Sequence, residues 1–240
     1  CRIVTGVQTC ALPISAHESL VPASWFDARA HEVHTLEALG GGIRSAITRY
    51  LSTIATQLRP DAVYVCLSGG LDSSGIAAMA GEIFPSTIAV SFDIKRRGHD
   101  PSDDRLAAER VAADLGLTML DVSVTEDELL DHMDTVLAEG VDWRDFNVHA
   151  GLVNAALAAG IAAAGGGRDS VVLTGDLANE FLVDYEAESY RGRTYYRLPR
   201  LEPRALRTWL VRGLDSCNRE VGVFSAFGLR VVQPYAVAVD

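Results

Sequence analysis

The residues best suited to chemistry form a short run, Ser68-Gly69-Gly70-Leu71-Asp72-Ser73-Ser74, directly after the apolar stretch Ala62 to Leu67. Glycines let a backbone approach an anion with no Cβ in the way. A helix opening at Asp72 to Ser74 would aim unpaired N–H groups and its positive dipole end at the same place. Ser68, Ser73 and Ser74 can donate hydroxyl hydrogen bonds to phosphate oxygens. Asp72 would repel a bare pyrophosphate, so its position makes sense when it holds Mg²⁺. The run is neither G-x-x-x-x-G-K-[ST] nor G-x-G-x-x-G, and it lacks the lysine that travels with a transferred γ-phosphate. It suits the pyrophosphate half of ATP, and hence an AMP-forming reaction.

Such a turn must be held by the elements around it, and the sequence supplies an alternating series. A helix is predicted from about Leu36 to Leu58, with Ile43, Ile47, Leu51 and Ile54 near helical spacing. Strands are predicted at Ala62–Leu67, Thr87–Phe92, Thr118–Val124 and Ser170–Gly175. Helices are predicted at Ser73–Phe84, Ser102–Leu115 (with Ser102 as its cap), Glu126–Leu137 and an alanine-rich stretch around 148–164. Continuous apolar strands separated by helices indicate an α/β fold, a mostly parallel sheet covered by helices on both faces. Open sheets of this kind place ligands along the rim of strand C-termini, where the Ser68 turn falls. Near the C-terminus, Pro234 argues against a central strand position.

Composition narrows the field. With 240 residues and 48% apolar content, the chain can build one sizeable core. The balance of 21 basic and 32 acidic residues gives a net charge of −11, which argues against a nucleic-acid partner. Cys1, Cys10, Cys66 and Cys217 have no metal-site spacing, and a disulfide framework is not expected, so a cytoplasmic setting is favoured. No run approaches the ~18 apolar residues of a membrane span. Residues 1–15 lack the charged start and long apolar core of a secretory signal and read as a non-native arm. Residues 16–35 read as a lead-in. Seven arginines between Arg191 and Arg212 read as a solvated face, or alternatively as charge that neutralises phosphate or an acidic peptide.

The motifs resemble a known family. "SGGLDSS" is similar to the pyrophosphate loop of the N-type ATP pyrophosphatases, with the adenine nucleotide alpha hydrolase-like fold. The leucine variant after "VCL" looks most like the synthetase domain of asparagine synthetase and its relatives, including lactam synthetases and the macrolactam cyclases of lasso peptides. "AVSFD", Ala89 to Asp93, resembles the strand that contacts adenine and ribose. "LTGDLANEFLVDY", Leu173 to Tyr185, resembles L-[ST]-G-[DE]-G-x-D-E-x-[FL]-x-G-Y. The similarity runs in order over roughly residues 35–237.

The resemblance implies that ATP activates a carboxylate as its acyl adenylate, after which an amine attacks and AMP leaves. It implies nucleotide contacts at Leu67, Ser68, Gly69, Gly70, Asp72, Ser73, Ser74, Val90 and Gly175. It places Mg²⁺ on Asp72 and Asn179, and catalytic acids at Asp176 and Glu180. Asparagine at 179 stands where the family carries aspartate, and Leu177 replaces the usual glycine. Glu139 and Asp142 keep an E-x-x-D spacing on the expected acceptor side. "VVQPYAV" is similar to the family's R-x-P-F-L-D region, with Val232 at the arginine and Val237 at the aspartate position. The implied synthetase domain is residues 36–240, with the family's lysine-bearing segment falling beyond the chain.

Asparagine formation from aspartate is the default reaction, and a peptide macrolactam cyclase with a leader-peptide partner is an alternative. An impaired ATP-binding or interaction module is a third reading. Relatives pair this domain with a glutaminase whose nucleophile is an N-terminal cysteine. Cys1 does not fill that role, because the 61 residues before the first strand cannot build a glutaminase domain of roughly 200. That domain is expected to be separate or missing.

Overall fold

The computed structural model describes residues 35–96, 98, 100–140, 143, 145–178, 187–190, 193–196 and 217–237. The elements in chain order are α1 (Leu36–Gln57), β1 (Ala62–Cys66), α2 (Leu71–Ile83), β2 (Thr87–Ile94), α3 (Asp103–Asp114) and β3 (Thr118–Val124). Then come α4 (Glu126–Leu130), α5 (Met133–Glu139), α6 (Asp145–Ala163), β4 (Ser170–Leu173), β5 (Ala187–Tyr190), β6 (Arg193–Tyr196), α7 (Cys217–Ala226), β7 (Arg230–Val232) and α8 (Pro234–Val237).

Five strands form one parallel sheet in the order β3-β2-β1-β4-β7, while β5 and β6 pair as an antiparallel ribbon. β1 is central, with Val65 beside Ala89 on one side and Leu173 on the other. Its run Ala-Val-Tyr-Val-Cys is apolar throughout because helices cover both faces. One face buries Val63, Val65, Ala89 and Leu173 under α1, α2 and α3. The other buries Tyr64, Val90, Val122 and Val172 under α6 and α7. Each fully buried Val or Ile contributes about 1.5–3 kcal/mol against exposure.

Local chemistry fixes several element ends. Ser102 caps α3 by accepting from the Arg105 N–H, as the sequence predicts, and Thr35, which the sequence reading did not single out, caps α1 by accepting from the Ala38 N–H. The helix expected over 126–137 is two. α4 begins with a capping box between Thr125 and Glu128 and ends at Leu130; α5 starts after His132, whose ring packs edge-on against Phe227. The alanine-rich helix is the buried α6. A Cβ on its Gly160 would lie 2.5 Å from Val122 Cγ2, so the missing side chain sets how closely α6 approaches the sheet. Pro234 follows the edge strand β7 and opens α8, consistent with its exclusion from a central strand. Among the described residues no helix is long and apolar enough to cross a membrane.

The connections β1-α2-β2-α3-β3 step outward from β1, and α6 then returns the chain to β4 on the other side of β1. The order therefore reverses between β1 and β4. In open α/β sheets a crevice forms at the strand C-termini of such a reversal.

Candidate functional site

The Ser68 turn occupies that crevice. β1 ends at Cys66, and α2 begins at Leu71 with Gly70 as an N-cap that offers no side-chain hydrogen bond. The start of α2 thus receives no side-chain cap from the residue that precedes it. Gly69 has φ +80°, and a Cβ there would meet Ala107 Cβ at 2.5 Å and Ala108 N at 2.7 Å. Only glycine satisfies both the conformation and the contact. Ser73 Oγ knits the loop: it accepts from Ser68 N at 3.2 Å, lies 3.0 Å from Ser68 Oγ and donates to the Gly70 carbonyl at 3.3 Å. The cradle is thus held before any ligand arrives.

The loop after β4 closes against it. A Cβ at Gly175 would fall 2.7 Å from Ser73 N and 3.0 Å from Ser73 Cα, so the absence of a side chain lets the two motif loops touch. From the C-terminal side, Tyr235 on α8 donates its hydroxyl to the Asp72 carbonyl at 3.1 Å. Burial, and then the charge of Asp72, push the Tyr235 phenol up to about 12. Leu177 is buried with φ +71°, a left-handed conformation that explains the glycine usual at this position in the family motif.

Between these loops lies a cleft of about 490 Å³. Of the residues expected at the nucleotide, Leu67, Ser68, Asp72, Ser73, Val90 and Gly175 line it, together with Asp176. Gly69 and Gly70 shape the turn without lining the cleft, and Ser74 has a buried Oγ with no hydrogen-bond partner among the described residues. Glu139 ends α5 and is not among the lining residues. Asp142, Asn179 and Glu180 lie outside the described residues, as does the arginine-rich run apart from the backbone of β6.

The sequence reading missed a second charged layer contributed by α7. Glu220 is 2% exposed, accepts from Thr174 Oγ1 at 3.0 Å and Gln233 Nε2 at 2.6 Å, and faces the charge of Asp176. Burial holds its carboxyl well above the ordinary range; the charge of Asp176 adds to this, while Gln233 and Arg219 oppose it. Arg219, also buried, donates to Asn147 Oδ1 at 2.7 Å and reaches Asp176 at 3.6 Å. Cys66 lines the cleft nearby, its thiol pushed up by burial and then by Glu220 and Asp176, which keeps it protonated and poorly nucleophilic. The signal that could have found Glu220 is an Arg-Glu pair inside an otherwise apolar helix.

The family model for asparagine synthase matches residues 51–222. The chain belongs to the asparagine synthase family. Its fold is the adenine nucleotide alpha hydrolase-like one of these synthetases, which are ATP-dependent ligases acting through acyl adenylates. Solved structures with similarity include the NH3-dependent NAD synthetase from Campylobacter jejuni subsp. jejuni NCTC 11168 in complex with the nitrate ion, at 16% identity and TM-score 0.41, covering 75% of this chain and 76% of that one. The NMN synthetase from Francisella tularensis is 18% identical with TM-score 0.42, covering 75% and 73%. No curated protein sequence matches the chain.

No group of three or more His, Cys, Asp or Glu among the described residues forms a metal cage. Mg²⁺ commonly takes one or two carboxylates and completes its shell with substrate phosphates and water. Asp72, in the first turn of α2 and on the cleft wall, fits that mode.

Proposed function

We propose that this chain forms an amide: it binds Mg·ATP in the cleft, activates a carboxylate as its acyl adenylate, and passes the acyl group to an amine. The observation that carries the reading is the meeting of both family loops at one uncapped helix start, at the point of strand-order reversal. Ser68, Ser73 and the first-turn amides of α2 bind and orient the pyrophosphate end. Asp72 would hold Mg²⁺, which supplies charge neutralisation for the departing pyrophosphate.

In the first step a carboxylate oxygen attacks the α-phosphorus, forming the acyl–phosphate bond as pyrophosphate leaves. In the second the amine attacks the acyl carbon, loses a proton, and AMP leaves. Asp176 is 40% exposed and faces the cleft, so it is the group that meets the incoming amine. Glu220, Arg219 and Thr174 support it from behind, with Glu220 retaining a proton at higher pH than an exposed glutamate. Asp176 accepts the amine proton while this layer fixes its orientation.

Aspartate, converted to asparagine, is the default acid. One observation favours a peptide macrolactam cyclase instead: no Lys or Arg lines the cleft among the described residues. The free α-carboxylate of aspartate calls for a cation, whereas a residue within a peptide chain has none to neutralise.

The test is carboxylate-dependent exchange of labelled pyrophosphate into ATP, run with aspartate and with aspartyl or glutamyl peptides. Exchange is expected in the unsubstituted protein and lost in Asp72→Ala. Nucleotide binding without exchange for any acid would instead support a binding module. Exchange undiminished in Asp72→Ala would remove the loop from the mechanism.

A further inference from the structure

The α6 wall of the cleft carries one polar group that neither the hydrogen-bonding network nor the proposed chemistry uses. Asn154 is 9% exposed and lines the cleft, and its Nδ2 is buried with no hydrogen-bond partner among the described residues. An unpaired buried amide costs about 1–3 kcal/mol, so it is retained at a cost unless a ligand completes it. Its setting describes that ligand. Val153 and Leu157 share its side of α6, and Val90 and Phe92 from β2 and Leu67 from β1 complete an apolar wall. No Lys or Arg lines the cleft among the described residues, so this wall suits a flat neutral group rather than a carboxylate.

The position fits the base of a nucleotide. α2, which begins the phosphate cradle, packs on one face of the sheet, and Leu157 of α6 packs on the other. A nucleotide with its phosphates at Ser68–Ser73 and its body across the sheet rim brings an apolar heterocycle to α6. A carboxamide offers one acceptor and one donor side by side, matching the exocyclic amine and adjacent ring nitrogen of adenine.

We propose that Asn154 reads the adenine base, accepting from its exocyclic amine through Oδ1 and donating to a ring nitrogen through Nδ2. The proposal rests on the reading of the cleft as an ATP site and adds the residue that selects the base.

The test compares binding of Mg·ATP with that of the Mg complex of purine riboside triphosphate, which lacks the exocyclic amine, by titration calorimetry. The unsubstituted protein is expected to favour ATP by about tenfold, the scale of one good base contact. In Asn154→Leu, which keeps the side-chain bulk, and in Asn154→Ala, the ratio is expected to fall to about one. Affinity for purine riboside triphosphate should fall less than that for ATP, because only the ring-nitrogen contact is lost, and its retained binding shows that the cleft is intact. A ratio near one in the unsubstituted protein, or a tenfold ratio that survives in both variants, overturns the assignment while leaving ATP binding in place. Failure of the unsubstituted protein to bind either nucleotide overturns both this assignment and the ATP-site reading.

Discussion

Gly175→Ala is the sharpest test of whether the two motif loops act as one device. The new Cβ would sit 2.7 Å from Ser73 N, 3.0 Å from Ser73 Cα and 3.1 Å from Asp72 C. Ordinary van der Waals contact starts at 3.4 Å, so the nearest pair must separate by about 0.7 Å. All three atoms are backbone, and no side chain can swing away to absorb the overlap. The movement must displace either the β4 loop or the first turn of α2. Overpacking of this kind costs about 1–3 kcal/mol, leaving a chain with ordinary stability folded. Its effect on function should be larger in proportion, because Ser73 Oγ organises the cradle and a misplacement near 1 Å can cost about a hundredfold in rate. The expected result is a cooperative urea transition shifted by about 2 kcal/mol, with pyrophosphate exchange reduced by about ten- to a hundredfold. Full exchange activity in a stably folded Gly175→Ala protein would refute the coupling of the loops.

Other substitutions probe the supporting layers. Glu220→Gln keeps the shape of the buried side chain and removes its titration. The folded carboxyl is raised, so its unfavourable effect on stability develops as pH rises from the unfolded value of ~4.3 through the folded one. The variant should therefore resist urea better than the parent above that window and match it below, and a parallel loss at every pH would contradict the assignment. Tyr235→Phe removes the hydroxyl held by the Asp72 carbonyl and should cost about 1 kcal/mol in urea while weakening Mg·ATP binding; unchanged binding would show that this clamp does not support the loop. At Leu177, φ +71° sets strain against burial. Leu177→Gly should be less destabilising than Leu177→Ala by about 0.5–1 kcal/mol, because relief of left-handed strain outweighs one further lost methyl. The reverse order in chemical denaturation would exclude that conformation.

What could be read from the sequence, and what could not, divides along physical lines. Ser68–Ser74 and Leu173–Asp176 were legible because local rules govern them: an apolar strand, a turn without Cβ atoms, and a helix start. The parallel sheet followed from apolar strands alternating with helices. Arg219 and Glu220 were opaque because a charged pair on a helix ordinarily faces water. They are buried only because Asn147, Thr174 and Gln233, far apart in the chain, supply the polar partners. Asn154 was hidden for a related reason, inside a helix whose alanines signalled packing alone. The split between α4 and α5 falls beside the tertiary His132–Phe227 contact, which periodicity does not encode.

The same buried layer resolves the electrostatic conflict of an acidic cleft in a nucleotide-binding fold. Asp72, Asp104, Asp176 and Glu220 all line it. Two like charges 4 Å apart oppose each other by about 4 kcal/mol at an effective dielectric of 20, so four carboxylates beside a triphosphate would be prohibitive. The structure reduces that number group by group. Glu220 is driven toward its neutral form by burial, Arg219 stands against Asp176, and Asp104 is exposed at the start of α3, where water screens it. Asp72 is left in direct contact with the phosphate cradle, on a helix start whose dipole already favours a negative partner. Under the proposed function Asp72 would hold a divalent cation, which would supply the missing positive charge, so the charge pattern suits metal-complexed nucleotide better than free nucleotide.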